Sequence, residues 1–157
     1  MPPRPPELIV ALDVSTAADL QLTLNRLPPA VTFGKVGLEL FTAEGPRCVE
    51  PLASRGMRLF LDLKFHDIPR TVSRAVQAAS RLGASLLTLH AGGGRAMLTA
   101  AAEAAREAGE HRPRLVAVTT LTSLGADDLA DLGIARALND QALRLGQGGI
   151  GLRHDAG

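Results

Sequence analysis

Only two of the seventeen basic side chains are lysine, Lys35 and Lys64; the other fifteen are arginine. The difference is chemical, because lysine can pass a proton while arginine stays charged at any ordinary pH. Both lysines lie near the end of a short apolar run, and carboxylates stand close by in the chain. Asp13 follows the run Leu8–Leu12, and Asp62 and Asp67 flank Lys64. Two residues apart on an extended strand, Asp62 and Lys64 point to the same side. With Lys35 projecting from the neighbouring strand, the spacing predicts an alternating cluster of two carboxylates, Asp62 and Asp67, and two ammonium groups. In a partly dry cavity such a cluster holds fixed charge without rearrangement and keeps a proton on lysine for delivery. The competing reading is a salt-bridge network that merely closes the mouth of the fold.

The elements that must position these groups are legible as five apolar runs, Leu8–Leu12, Val31–Val36, Leu59–Leu63, Leu86–Leu89 and Leu115–Thr120. Continuous short runs bounded by polar residues suit buried parallel strands. Their starts are 23, 28, 27 and 29 residues apart. Helical patterns fill the gaps. Ala17–Leu27 opens behind the candidate caps Ser15 and Thr16, Gly45–Arg55 carries Pro46 in its first turn, and Pro69–Leu82 and Arg95–Ala108 each end at a glycine. Ala126–Leu132 and Ala135–Leu145 are shorter candidates. Strands alternating with helices give βα units on a parallel sheet, closed as a barrel or open and doubly wound. A barrel of eight units needs roughly 220 residues or more. The 157 residues here supply five units and part of a sixth. Ligands of such folds sit at the carboxyl ends of the strands, where Asp13, Lys35, Asp62, Lys64, Asp67, His90 and Thr119–Ser123 fall.

Composition narrows the function classes. A net charge of +1 lacks the basic excess of a nucleic-acid binder, and 3% aromatic residues, with no Trp or Tyr, leave few stacking platforms. Cys48 is the single cysteine, so the expectations are a buried apolar thiol, no disulfide and a reducing, cytoplasmic compartment. No run approaches the roughly 20 apolar residues of a membrane helix, and no signal peptide is expected. His66 and His90 lack suitably spaced companions for a metal site; His90 is expected as a rim hydrogen-bonding group and His66 as a turn residue. Gly92-Gly93-Gly94 is read as a tight strand-to-helix turn in preference to a phosphate cradle. Three regions are expected: a disordered Pro-rich lead at 1–7, a partial barrel at 8–145, and a Gly-rich, poorly ordered tail at 146–157 in which Ile150 and Leu152 could begin a sixth strand.

Beyond these local readings, LIVALDV (8–14), GKVGLELFT (34–42), LFLDLKFHDIPRT (59–71), LTLHAGGG (87–94) and AVTTLTS (117–123) resemble orotidine 5′-phosphate decarboxylase of the bacterial type, in the family's order and spacing. The bare Asp-x-Lys-x-x-Asp pattern is shared with sugar-phosphate decarboxylases and synthases of the same barrel group, whereas the longer DLKFHDIP string is more specific. The resemblance implies a TIM-type (β/α)8 barrel that converts orotidine 5′-phosphate to UMP with no metal and no organic cofactor. It implies Lys64 as proton donor to C6 of the pyrimidine, Asp62 and Asp67 beside the substrate carboxylate, and Lys35 and Asp13 on the ribose hydroxyls. It further implies Thr122 and Ser123 near the pyrimidine and Thr71 on the phosphate–ribose side. Asp67, Ile68 and Thr71 are implied to reach into the partner's site of a homodimer.

The sequence departs from that family in its last third. Nothing matches the Pro-Gly-Ile-Arg-like and Gly-Arg-Pro-like loops by which the family grips phosphate. The expectation is a truncated reading frame, and the alternatives are an inactive or binding-only fragment and, below these, a sugar-phosphate decarboxylase or synthase.

Overall fold

The computed structural model describes residues 6–150. Five strands form one parallel sheet: β1 (Val10–Ala11), β2 (Phe33–Gly37), β3 (Arg58–Phe65), β4 (Ala84–His90) and β5 (Arg114–Val118). Their order in space is their order in the chain. A doubly wound sheet reverses direction at a switch point, whereas a barrel adds each strand to the same side of the last. The sheet therefore follows the barrel-type alternative, as five consecutive strands of it. Every strand runs the same way, so all five carboxyl ends lie along one rim.

The helices follow the expected order. α1 (Ala17–Arg26) is capped by Thr16, whose hydroxyl accepts from the Asp19 N–H at 3.1 Å, while Ser15 donates to the Glu39 carboxylate instead. The helical pattern at 45–55 resolves into two pieces, preceded by a separate helix. α2 (Leu38–Glu44) precedes it, Gly45 at φ 66° breaks the path, a 3-10 turn covers Gly45–Val49, and α3 (Glu50–Ala53) follows. Pro46 and Pro51 account for the interruption, since neither has an N–H for a continuous helical ladder. α4 (Pro69–Arg81) and α5 (Gly94–Glu107) pack together, the first burying Val72, Val76 and Ala79, the second Met97, Ala101 and Ala104. The small alanines allow the two helices to approach closely.

Two short helices complete the described chain, α6 (Ala126–Asp131) and α7 (Leu138–Ile150). α7 passes the expected limit at Leu145, so Ile150 ends a helix and does not begin a sixth strand. Once started, a helix gains one hydrogen bond per added residue, and each glycine weakens it by only about 1 kcal/mol. Leu152 lies outside the described residues. At the other end, residues 1–5 of the expected lead lie outside the described residues, and the Glu7 carboxylate pairs with Arg58 Nη1 at 2.6 Å. Cys48 is buried as expected. No helix among the described residues is long and apolar enough to cross a membrane.

The core lies between sheet and helices. Burial alternates along β3, with Leu59, Leu61 and Leu63 in the apolar cluster that contains Val72 and Val76, and Phe60, Asp62 and Lys64 on the opposite face. Gly34 in β2 is a close approach of backbone to core. A Cβ there would stand 2.8 Å from Leu52 Cδ2 and 2.9 Å from Leu12 Cδ1, two side chains with no free surface. Gly34→Ala is therefore expected to lower stability by about 1–3 kcal/mol through overpacking. Urea denaturation checks this against Gly92→Ala, where an added Cβ meets nothing within 4 Å; equal midpoints for the two variants would refute it.

Candidate active site

At the rim of β1, β2 and β3 four charges line up in alternating sign. Asp13 stands just past β1, where the Leu12 N–H donates to the Lys35 carbonyl at 2.9 Å and prolongs the ladder. Lys35 Nζ lies 3.0 Å from Asp13 Oδ1 and 3.6 Å from Asp62 Oδ2, and Lys64 Nζ lies 2.8 Å from Asp62 Oδ1. Register explains the reach of Lys35. Its backbone pairs with Phe60, two residues before Asp62, and Gly37 is the residue opposite Asp62. A side chain at Gly37 would begin 3.5 Å from Asp13 Oδ1 and 3.8 Å from Lys35 Nζ. The glycine thus leaves open a concavity of about 180 Å³ lined by Asp13, Lys35, Asp62 and Lys64.

Asp62 and Lys64 share a face, as the two-residue spacing predicts, but the strand between them is irregular. Leu61 pairs with Leu87 and Phe65 with Leu89, so Asp62, Leu63 and Lys64 together face Thr88 alone. Within that bulge Lys64 takes φ 50°, the single non-glycine residue with positive φ among the described residues. A left-handed conformation at such a residue costs on the order of 1–3 kcal/mol and persists only where the surroundings hold it. Bulges of this kind re-aim side chains beside functional sites.

Burial grades the cluster from the Asp13 side chain, 65% exposed, to that of Asp62 at 16%. Burial works to raise the Asp62 carboxyl, but hydrogen bonds from Lys64 and Thr88 and the charges of Lys64 and Lys35 outweigh it and hold its pKa below the ordinary value. The alternating charges are fixed before any ligand arrives. The Lys64 ammonium is held by one carboxylate oxygen yet remains partly exposed to the concavity. That arrangement can stabilise a carbanion beside it and supply it with a proton.

The other sequence candidates fall into two groups away from this cluster. Asp67 is exposed and its Oδ1 accepts from the Ile68 N–H at 2.6 Å, so the second carboxylate of the alternating cluster is Asp13, not Asp67. The β3–α4 connection turns Asp67 back onto its own backbone. Ile68 and Thr71 are exposed beside it at the start of α4. Thr122 and Ser123 sit in an exposed turn after β5, and none of these five lines the concavity.

The ring of His90 meets that of His66 at 5.1 Å, where a rim hydrogen bond was the expectation. Desolvation first, then electrostatic repulsion from the His66 and Lys64 side chains, lowers the His90 pKa. Among the described residues no group of three or more His, Cys, Asp or Glu side chains could hold a metal ion. Gly92-Gly93-Gly94 forms the tight turn into α5, and a Cβ at Gly93 would collide with Met97. The residue that sequence reasoning missed is Thr88, buried and bonded to both Asp62 and Lys64. Its signal was a lone hydroxyl inside the apolar run Leu86–Leu89.

Comparison with known proteins bears on this geometry. Residues 6–153 match the sequence profile described as "Orotidine 5'-phosphate decarboxylase / HUMPS family". A Vibrio campbellii protein named orotidine 5′-phosphate decarboxylase is 47% identical over 139 residues, covering 88% of this chain and 60% of that protein. One of the same name from Sodalis glossinidius is 46% identical over 138 residues, covering 88% and 55%. The chain thus spans about 60% of the length of the curated relatives it matches. Among solved structures, orotidine 5′-phosphate decarboxylase from Lactobacillus acidophilus superposes with a TM-score of 0.84 at 37% identity, covering 91% of this chain and 66% of that one. An uncharacterized conserved protein from Geobacillus kaustophilus gives 0.84 at 41% identity, covering 90% and 67%.

The depressed Asp62 pKa carries a stability consequence with a definite sign. A carboxyl that binds its proton less tightly folded than unfolded stabilises the fold above the unfolded pKa, about 4, and that contribution is lost as pH falls through the folded value. Asp62→Asn has no such contribution to lose. The stability gap between wild type and Asp62→Asn, measured by urea unfolding, is expected to narrow below about pH 4; a constant gap down to pH 2.5 (roughly the acid limit of the assay) would count against it.

Proposed function

The chain belongs to the orotidine 5′-phosphate decarboxylase / HUMPS family, and on that premise we propose that its charged rim removes the carboxyl group of orotidine 5′-phosphate as CO₂ to leave UMP. The observation that carries this reading is the alternating line Asp13–Lys35–Asp62–Lys64 around the concavity. In the proposed step the bond from C6 to the carboxylate breaks and its electron pair stays on C6. The Lys64 ammonium stabilises that charge and then delivers a proton to C6, and lysine recovers its proton from solvent. Asp62 sits beside the substrate carboxylate and keeps Lys64 aimed. Lys35 and Asp13 hold the ribose hydroxyls, and Thr122 and Ser123 close on the pyrimidine side. No metal or organic cofactor takes part in this scheme.

The same reading gives the exposed residues a second role. Asp67, Ile68 and Thr71 lie outside the concavity, on the surface at the start of α4. In a cytoplasmic homodimer they would serve the partner's site, bringing a second carboxylate to the substrate. A binding-only protein, which would hold the nucleotide at the same concavity without turning it over, is the alternative reading. The DLKFHDIP string favours a nucleotide over a sugar phosphate as substrate.

UMP formation from orotidine 5′-phosphate by the purified chain, with Lys64→Ala as blank, is expected to exceed the blank. Lys64→Arg keeps the charge and loses the proton transfer, so its turnover should fall at least about a hundredfold while UMP binding by calorimetry persists. An active Lys64→Arg protein would remove Lys64 as proton donor. A folded wild type that binds UMP without turnover would assign the binding-only role.

A further inference from the structure

Two polar side chains are buried among the described hydrophobic core residues, Ser80 and Thr88. Ser80 returns its hydroxyl to its own helix, donating to the Val76 carbonyl at 2.8 Å. Thr88 instead reaches across to β3 and uses its hydroxyl in both directions. It accepts from the Lys64 backbone N–H at 2.9 Å and donates to Asp62 Oδ1 at 2.9 Å. Asp62 Oδ1 also accepts from Lys64 Nζ at 2.8 Å. These three bonds close a ring, in which the carboxylate, the threonine hydroxyl and both ends of Lys64 constrain one another.

The position of Thr88 gives that ring its purpose. Thr88 is the single β4 residue opposite the three-residue bulge Asp62–Lys64, where the regular ladder is interrupted. A parallel ladder would hold the strand there through backbone groups; here a side-chain hydroxyl takes their place. It does so at the residue with φ 50°. Without the hydroxyl, the Lys64 N–H is left without its acceptor, and the bond that holds that backbone at φ 50° from β4 is lost. Relaxation toward an ordinary strand conformation would swing the direction in which the lysine side chain leaves the strand.

We propose that Thr88 is a positioning residue, whose hydroxyl locks the Lys64 backbone to the Asp62 carboxylate and so sets the direction of the Lys64 ammonium. Its consequence for turnover rests on the function proposed above, while the lock itself does not. The charged groups that face Asp62 are Lys64 on β3 and Lys35 on β2, with Asp13 beyond Lys35.

Thr88→Val keeps the branched shape and removes the hydroxyl, whereas Thr88→Ser keeps the hydroxyl and removes the methyl. Because the chain has two lysines, labelling with ¹⁵N-lysine marks two backbone amides, Lys35 and Lys64. Amide exchange at Lys64 is expected to quicken about tenfold in Thr88→Val and to stay near wild type in Thr88→Ser, with Lys35 unchanged in both. The Asp62 titration, followed by carboxyl ¹³C shift, should move upward in Thr88→Val and return in Thr88→Ser. In the decarboxylase assay kcat should fall about a hundredfold in Thr88→Val with KM little changed, and Thr88→Ser should recover most of it. If Thr88→Val does not fold, Thr88→Ala against Thr88→Ser makes the same comparison. A wild type without turnover defeats the proposed function, and the amide and carboxyl readouts still decide the lock. Equal losses in the valine and serine variants, or no change at the Lys64 amide, would overturn it.

Discussion

Asp62 is the carboxylate that two lysines share, and the rest of the rim is arranged around it. A carboxylate so largely removed from water is tolerable only when its lone pairs are taken up. Lys64 and Thr88 occupy Oδ1 and Lys35 faces Oδ2. Two ammonium groups this close would repel without the carboxylate between them, and Asp13 brings the group of four to neutrality. The outer pair is the weaker one, since Asp13 is mostly in solvent and an exposed ion pair contributes about 0–1 kcal/mol. The inner pair, with its buried hydroxyl partner, sets the geometry.

That geometry can be rigid because of where β3 lies. It is paired on both sides, by β2 and by β4, and its alternate residues Leu59, Leu61 and Leu63 are anchored in the core. The other face is then free to carry Asp62 and Lys64. Because each strand is added to the same side of the last, Asp13, Lys35 and Asp62 arrive at one rim from three separate strands. The opposite end of the sheet is held differently, by the Arg58 guanidinium over the Phe33 ring at 4.2 Å and its pairing with Glu7. Stabilising contacts and reactive groups thus sit at opposite ends of the same strands, as expected of a βα arrangement.

Much of this was legible in the sequence, because it depends on patterns that repeat. Five apolar runs at even spacing gave the strands, glycines after α4 and α5 gave the helix ends, and strand polarity put Asp13, Lys35, Asp62 and Lys64 together. What escaped depends on single contacts. Alternation alone predicts a regular β3, and only the unequal pairing of Asp62–Lys64 against Thr88 reveals the bulge. A threonine is common in strands for its branched shape, so its hydroxyl gave no sign of a partner. The break-up of 45–55 depended on Pro51, which blocks a ladder that its apolar neighbours favour. Ile150 was misread because an apolar residue among glycines fits a strand start as well as a helix end.

The segment 62–69 illustrates why spacing and placement differ. Its first half, Asp62 to Lys64, is fixed by the bulge and faces the concavity. Its second half leaves the sheet at His66, and Pro69 at the first turn of α4 fixes the direction of departure. Asp67 then bonds its own chain and Ile68 stands 65% exposed. Ile68 is an apolar side chain held out into water by a proline-started helix, next to a carboxylate that solvent can hydrate. In the proposed dimer both would find partners on a second copy. One eight-residue string would then serve two sites, its first three residues acting at home and its later ones across the interface. Reading it as one local cluster of charges therefore brings Asp67 into a site that its own backbone turns it away from.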